Sequence, residues 1–271
     1  MKKVFYLLSL LFVLGACNKE SQIEVPEVDL EQEEKISEKT IEEKPKISAE
    51  DSEEKREEKL EEKLQEEISK KYPNIKSKTD YNNNGKDDYS DFIDGAREDA
   101  RNHPKYDSAY VGINNGYPDP KSGVCTDVIW RAMKQAGYSM RSMLNADIAR
   151  RRQAYTNISG SPDPKIDFRR VKTLRPFYEK YCLKLETDLN DPNKWQPGDI
   201  IIFGPRDFHI GILSDKRNQE GFPFVFHNMG QTEREEDFLK RYPITGHYRF
   251  VAKDIPQNVL KPWVDGEDGN Q

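Results

Sequence analysis

Between residue 18 and Tyr72 the chain has no aromatic residue and is dominated by glutamate and lysine. Such a segment cannot bury enough apolar surface to offset the entropy of ordering it, so it cannot supply a core. Globular folding is confined to the residues after Tyr72, which suffice for one good-sized domain. Within the charged segment, Leu60, Leu64 and Ile68 recur every four residues over 52–71. That spacing predicts a helix supported by i,i+4 ion pairs. The earlier part, with Pro26 and Pro45, reads as disordered. The whole of 17–72 is expected to act as a linker or spacer, reaching roughly 80 Å at about 1.5 Å per residue if helical throughout. A partner-helix role is the alternative, with only a short, narrow apolar stripe to serve it.

Ahead of the spacer, Lys2 and Lys3 precede an almost unbroken apolar run over 4–14, then Leu14-Gly15-Ala16-Cys17. Basic start, apolar middle and small residues at a cut are the pattern of a secretory signal, here 1–16. The run is too short to span a bilayer as a permanent helix. A cysteine at the cut resembles the lipobox of bacterial lipoproteins. The resemblance implies lipidation of Cys17 and an exported chain anchored in a membrane, facing cell wall or periplasm. The formal net charge of −6, with mixed signs and no basic patch, argues against nucleic acid as a partner. A monomer is expected.

A twelve-residue loop over 80–91 places oxygen-bearing side chains at Asp80, Asn82, Asn84, Asp88 and Asp91, with Gly85 at its sixth position. That is the spacing with which an EF-hand wraps calcium, the Lys86 carbonyl supplying a further oxygen. The final ligand is Asp rather than the longer Glu, and Asp87 stands where an apolar residue is usual. A structural calcium and a plain Asn/Gly turn capping a helix from about Asp91 are both open readings. The loop and helix, 73–104, lead into an expected α+β domain over 105–252, with 253–271 as a C-terminal tail. Helices are predicted over 124–137, 140–155 and 171–181, Pro176 arguing for a late start to the last. Strands come after them, over 199–203, 208–214, 222–228 and 245–251. Helices first and antiparallel strands afterwards is the α+β pattern.

Lipidation of Cys17 would leave Cys125 and Cys182 as the only remaining cysteines. A disulfide between them is the bland reading for an exported chain. Against it, Cys125 opens a predicted helix, where free N–H groups and the helix dipole favour a thiolate, the form that attacks a carbonyl. Such a nucleophile needs a base, and His209 suits it. Ile210 and Ile212 would face the core, so alternation sends His209 and Gly211 to the other face. A third group should orient the imidazole. If Phe224 and Phe226 face the core, His227 shares the side of His209, and parity prefers it over Asn228 unless a bulge intervenes. His247 reads as supporting or structural.

Cysteine at a helix start, Pro197-Gly198-Asp199-Ile200 entering a strand, His209-Ile210-Gly211-Ile212 and then a polar third residue resemble the NlpC-like branch of papain-fold cell-wall peptidases. More closely, Gly123-Val124-Cys125-Thr126-Asp127, Ile166-Asp167-Phe168-Arg169-Arg170-Val171, His209 to Asp215, His227-Asn228 and Gly246-His247-Tyr248-Arg249 resemble the family called domain of unknown function 1287. The likeness covers roughly 78–252. It implies a papain-like thiol hydrolase acting on peptidoglycan peptides, with Cys125, His209 and His227 as catalytic triad and no cofactor in catalysis. An upstream tyrosine, Tyr110 or Tyr117, would join the Cys125 N–H in an oxyanion hole, as such tyrosines do in NlpC-like enzymes. Those enzymes usually carry Asp-Cys-Ser where this chain has Val124-Cys125-Thr126, so their contacts to a substrate amine do not carry over. The pattern also lowers the disulfide reading, leaving Cys182 as a small buried filler. Asp127 is read as binding a substrate amine or tying down a loop. Asp167, Arg169 and Arg170 are read as gripping a substrate carboxylate or forming an internal ion-pair cluster. Two other functions stay open: acyl hydrolysis or transfer on another substrate, and a calcium-dependent wall-binding module without chemistry.

Overall fold

The computed structural model describes residues 49–159 and 161–269, so Cys17, the signal segment and the Pro-containing stretch lie outside the described residues. The chain enters with α1 (Ala49–Lys71) and α2 (Asp88–Asn102). A short parallel pair comes next, β1 (Lys105–Tyr106) and β2 (Ser122–Gly123), leading into α3 (Cys125–Gln135). Three more helices succeed it: α4 (Met140–Arg150), α5 (Thr156–Ser159) and α6 (Val171–Tyr181). The strands come last: β3 (Leu183–Lys184), β4 (Ile200–Phe203), β5 (His209–Arg217), β6 (Pro223–Phe226), β7 (Glu235–Glu236) and β8 (Ile244–Arg249). They form one antiparallel sheet in the order β3-β8-β4-β5-β6-β7. The fold is α+β, with helices before an antiparallel sheet.

The run Ile200-Ile201-Ile202-Phe203 is buried on both faces because the sheet has a core on each side. Ile200, Ile202, Ile210, Ile212 and Phe226 face the helices, in the cluster that holds Cys125, Val128 and Ile129. Ile201, Phe203, Leu213 and Val225 face a second cluster with Trp195, Phe238 and Leu239. On the helical side α2 packs tightly on α3. A Cβ at Gly95 would lie 2.7 Å from Gln135 Cβ and 2.9 Å from Ala132 Cα, so only glycine allows that approach.

Several expected boundaries move, each for a physical reason. The second helix stops at Arg150 rather than 155, and a 3₁₀ turn, Arg152–Ala154, succeeds it. Asp147 fixes the change of course by accepting from Arg151 Nε at 2.7 Å, from the Tyr181 hydroxyl at 2.6 Å and from the Tyr155 hydroxyl. α6 runs straight through Pro176 instead of starting late. Proline removes one backbone donor, and burial of Leu174, Phe177 and Tyr178 outweighs that loss. The 253–271 stretch is no loose tail. Val259 and Leu260 enter the core, Trp263 stacks on Trp130, and Glu267 accepts from the Tyr117 hydroxyl at 2.7 Å. His247 is structural: it stacks on Trp195 and meets Asp199 at 2.9 Å, while Asp199 also caps the turn at Gln196 and pairs with Arg249.

The spacer helix is docked at its C-terminal end. Gln65 donates to the Arg217 carbonyl at 2.8 Å and accepts from the Arg217 N–H at 3.0 Å, so its amide closes the last residue of β5 as a neighbouring strand would. Glu61 pairs with Lys216 at 2.5 Å. Of the expected apolar stripe, Ile68 is buried, whereas Leu60 is 68% and Leu64 37% exposed. Contact with the domain is therefore made where the stripe ends. Replacing Ile68 with Ala should lower unfolding free energy by about 2 kcal/mol, the low end for such a deletion. Urea denaturation checks this; an unmoved midpoint would mean that the helix is a free spacer.

Candidate active site

α3 begins at Cys125 because Val124 is extended and the Asp127 carboxylate folds back to accept the Val124 N–H at 2.7 Å. The other face of this carboxylate accepts from Trp130 Nε1 at 2.7 Å. Arg169 closes on it with Nε and a terminal nitrogen, each at 3.0 Å, and donates also to the carbonyls of Ala109 and Asp107. Both side chains are buried. Asp127 and Arg169 thus form an internal ion-pair cluster that fixes the start of α3, and Arg169 also lines the cleft at Cys125. Asp167 is also spent internally: it is buried and accepts the Asp163 N–H at 2.7 Å. Arg170 differs, because its contact with Asp167 is long at 3.4 Å and 41% of its side chain stays exposed.

The sheet register decides what Cys125 meets. The Leu213 N–H bonds to Asp199, on the β4 side of β5. N–H groups of alternate residues point the same way, so that of Ile210 points to the β6 side. Pairing with β6 begins only at Ile212 opposite Phe226. The Ile210 N–H is therefore left without a partner on β6, and it is among the N–H groups that pull the Cys125 thiol downward. Burial pushes the thiol up to about 12, against the pull of the N–H groups of Ile210, Thr126 and Cys125 itself. The thiolate expected from the helix start gives way to a neutral thiol. Cys182, also a free thiol, is half-buried against the helical core and likewise pushed up by burial.

His209 and His227 share the second face of the sheet, as alternation predicts, with His209 Nε2 3.1 Å from His227 Nδ1. Gly211 is required between them: a Cβ there would stand 2.5 Å from Val225 Cγ1 and 3.0 Å from the Phe226 carbonyl. On the far side of His227, Nε2 lies 3.0 Å from Glu236 Oε1, and Arg241 holds the other Glu236 oxygen at 2.9 Å. Glu236 Oε1 is buried with no hydrogen-bond partner among the described residues, and the His227 ring nitrogen is the polar atom facing it. Two lone pairs at that distance would repel, so the proton of neutral His227 belongs on Nε2. Nδ1 of His227 is then an acceptor, His209 Nε2 the donor, and His209 Nδ1 carries a lone pair. Burial draws His209 down to about 4. Burial, then the charges of His209, Arg241 and Arg234, draw His227 down to about 2. Asn228 does not reach this pair; it donates to the carbonyls of Pro104 at 3.2 Å and Gly123 at 3.4 Å, lashing β2 to the end of β6.

A cleft of about 480 Å³ opens at Cys125, walled by Tyr106, Ser108, Arg170, Lys172, Thr173 and Phe208 among others. Neither expected oxyanion tyrosine serves it. Tyr117 is fully buried against Trp130, Phe168 and Trp263, and Tyr110 turns its hydroxyl to Asp163 at 3.1 Å. Tyr106 is the tyrosine that lines this cleft: β1 pairs it with Gly123, two residues before Cys125. Burial, and next the charge of Cys125, push the Tyr106 hydroxyl upward. Sequence reasoning missed Tyr106 and Glu236. Each lies on a two-residue strand, too short to show alternation, and Glu236 sits in a charged run that reads as solvated surface.

In the 80–91 loop, Asp88 turns inward to the Tyr81 N–H at 3.0 Å and the Tyr138 hydroxyl at 2.8 Å. Asn82 and Asn84 both bring their amides to Asp91 at 3.0 Å. Asp80 accepts the N–H groups of Asn84 and Gly85. Asp87 caps α2, which starts at Asp88 rather than near Asp91. Among the described residues no three His, Cys, Asp or Glu side chains are grouped as metal ligands.

The family model described as a domain of unknown function, DUF1287, matches residues 93–250, more than half of the chain. The chain belongs to the DUF1287 family. The DUF1287 match takes in Cys125, His209, His227 and Glu236 and leaves out α1 and the 80–91 loop. Uncharacterized protein YijF of Escherichia coli (strain K12) is 33% identical over 166 residues, covering 59% of this chain and 80% of that protein. No solved structure matches the chain.

The buried histidines set a dependence of stability on pH. Their folded pKa values are depressed below the unfolded value of about 6.5, so the stability they contribute is present above that pH. It is lost as pH falls through about 4 for His209 and further still for His227. Urea midpoints measured from neutral pH down to about 4 should fall, and fall less steeply in a His209→Gln variant. An unchanged slope would show that His209 is not held neutral.

Proposed function

We propose that this chain is a membrane-anchored, extracytoplasmic thiol hydrolase of NlpC-like, papain-type architecture that cleaves amide bonds of peptidoglycan peptides. The observation that carries the reading is Cys125 at the start of α3 on the wall of an open cleft, with α3 packed on β5, the strand that begins at His209 and holds the His209–His227 pair. The lipobox-like Cys17 supports the location, and the charged segment behind it supplies reach.

The chemistry starts from a neutral thiol and a neutral imidazole. As the sulfur attacks the carbonyl carbon, its proton passes to His209 Nδ1. The tautomer set through His227 leaves that nitrogen free to accept. The imidazolium that forms is stabilised through its Nε2–H by His227, which Glu236 holds in orientation. Negative charge on the carbonyl oxygen is met by the Cys125 N–H and the Tyr106 hydroxyl. His209 then returns the proton to the leaving amine as the C–N bond breaks. Water, deprotonated by His209, hydrolyses the thioester and restores the thiol.

Digestion of purified cell wall tests the proposal. Cys125→Ala should abolish release of soluble muropeptides with an unchanged unfolding midpoint. His209→Ala should cut turnover by roughly 10²–10⁴-fold, the range of general acid–base catalysis. Equal release by wild type and Cys125→Ala would sink the enzyme reading and leave a wall-binding module.

Calcium belongs to the proposal in a structural role only. An ion beside Asp80, Asp91 and the Lys86 carbonyl would have to draw the Asn82 and Asn84 oxygens from the Asn84 and Lys86 N–H groups they now accept. Asp88 does not fit, being spent on Tyr81 and Tyr138. Added calcium should raise the unfolding temperature of the wild type and not that of Asp91→Asn. No rise in the wild type would leave the loop as a helix-capping turn.

A further inference from the structure

We propose that the N-terminus of α6 is an anion subsite of the Cys125 cleft, which takes a side-chain or terminal carboxylate of an acidic wall peptide. The inference rests on the hydrolase reading for its substrate and on separate observations for the site. Arg170, Val171, Lys172 and Thr173 form the helix start, and all four line the cleft that Cys125 opens on. Arg170 caps the helix with no side-chain hydrogen bond to it. The N–H groups of Val171 and Lys172, at its first two positions, have no acceptor within the helix, and the helix dipole makes that end favourable to negative charge.

The observation that points to a ligand is Thr173. Its side chain is fully buried, yet its hydroxyl has no hydrogen-bond partner among the described residues. A buried hydroxyl left unpaired costs about 1–3 kcal/mol, and a threonine lining a cleft avoids that cost when the cleft is filled by an acceptor. Arg170 and Lys172 add the charge. The long contact of Arg170 with Asp167 leaves most of its donors open, and its planar fork suits the two oxygens of a carboxylate.

The neighbouring groove continues the same sign. A cleft of about 640 Å³ shares Ile158, Lys172 and Asp207 with the first and adds Lys180 and Arg206. Its acidic members are already engaged. Asp207 is held on both oxygens by Arg175, and Glu179 lies 3.6 Å from the same arginine. A cationic path thus runs from the nucleophile in a chain whose net charge is −6. Peptides of the wall carry free carboxylates beside the amide bonds that a thiol hydrolase would cut.

The test uses the Cys125→Ala variant, so that binding is read without turnover, and two labelled wall peptides that differ only in whether the carboxylate is free or amidated. The free acid should bind at least tenfold more tightly by fluorescence anisotropy. Arg170→Gln with Lys172→Gln, both at exposed or half-exposed positions, should remove that difference without moving the unfolding midpoint. Arg170→Lys should restore part of it. Equal affinity for acid and amide, or a difference that survives the double substitution, overturns the subsite. Displacement of the acid peptide by inorganic phosphate at equal concentration overturns the carboxylate assignment. Failure of wall digestion would leave these binding results standing, so the two proposals fail separately.

Discussion

One carboxylate, that of Asp127, carries the geometry on which the rest of the site depends. It turns the chain into α3 by taking the Val124 N–H and braces the helix through Trp130. It also anchors Arg169, whose remaining donors hold the backbone at Asp107 and Ala109. The loop after Tyr106, the start of the nucleophile helix and the turn before α6 therefore meet at one buried ion pair. Removing one member of such a pair leaves an uncompensated buried charge, a loss of about 3–5 kcal/mol. A residue this costly to disturb is a framework element, and its place beside the nucleophile explains why it resembles a substrate contact in the sequence.

The second constraint is where β6 begins to pair with β5. Because pairing starts at Ile212, the Ile210 N–H is left without a β6 partner and pulls on the Cys125 thiol, while α3 packs against β5. The alternation that sends Ile210 to the core sends His209 to the opposite face, where His227 and Glu236 wait on successive strands. Burial draws both rings down, so the two histidines and the cysteine are held as neutral groups. A helix start by itself favours a thiolate; desolvation outweighs the dipole because Cys125 is almost wholly enclosed.

Legibility in the sequence tracks the length scale of each signal. The central strands and α3 are readable because four or more residues repeat a pattern. The pairing of His209 with His227 comes from parity alone. The features that escape are set by non-local contact. Tyr106 reaches the cleft through a two-residue parallel bridge, and Glu236 through a two-residue edge strand. Arg169 and Arg170 are adjacent, chemically alike and both line the cleft, yet Arg169 is buried on Asp127 while Arg170 keeps 41% of its side chain exposed. Pro176 argues for a late helix start that tertiary burial overrides. The charged segment reads as a free spacer because its composition is polar; Gln65 and Ile68 dock its end through one amide and one side chain.

A thiol hydrolase of the proposed kind forms a covalent bond between Cys125 and the carbonyl it attacks. The direct measurement is the intact mass of the protein after acid quenching during turnover of a defined wall peptide, with subsequent mapping of any adduct. Turnover through Cys125 produces a gain equal to the acyl portion of the peptide, located on Cys125 and absent from Cys182. Cleaved product without an adduct on Cys125, formed equally well by Cys125→Ala, would contradict it.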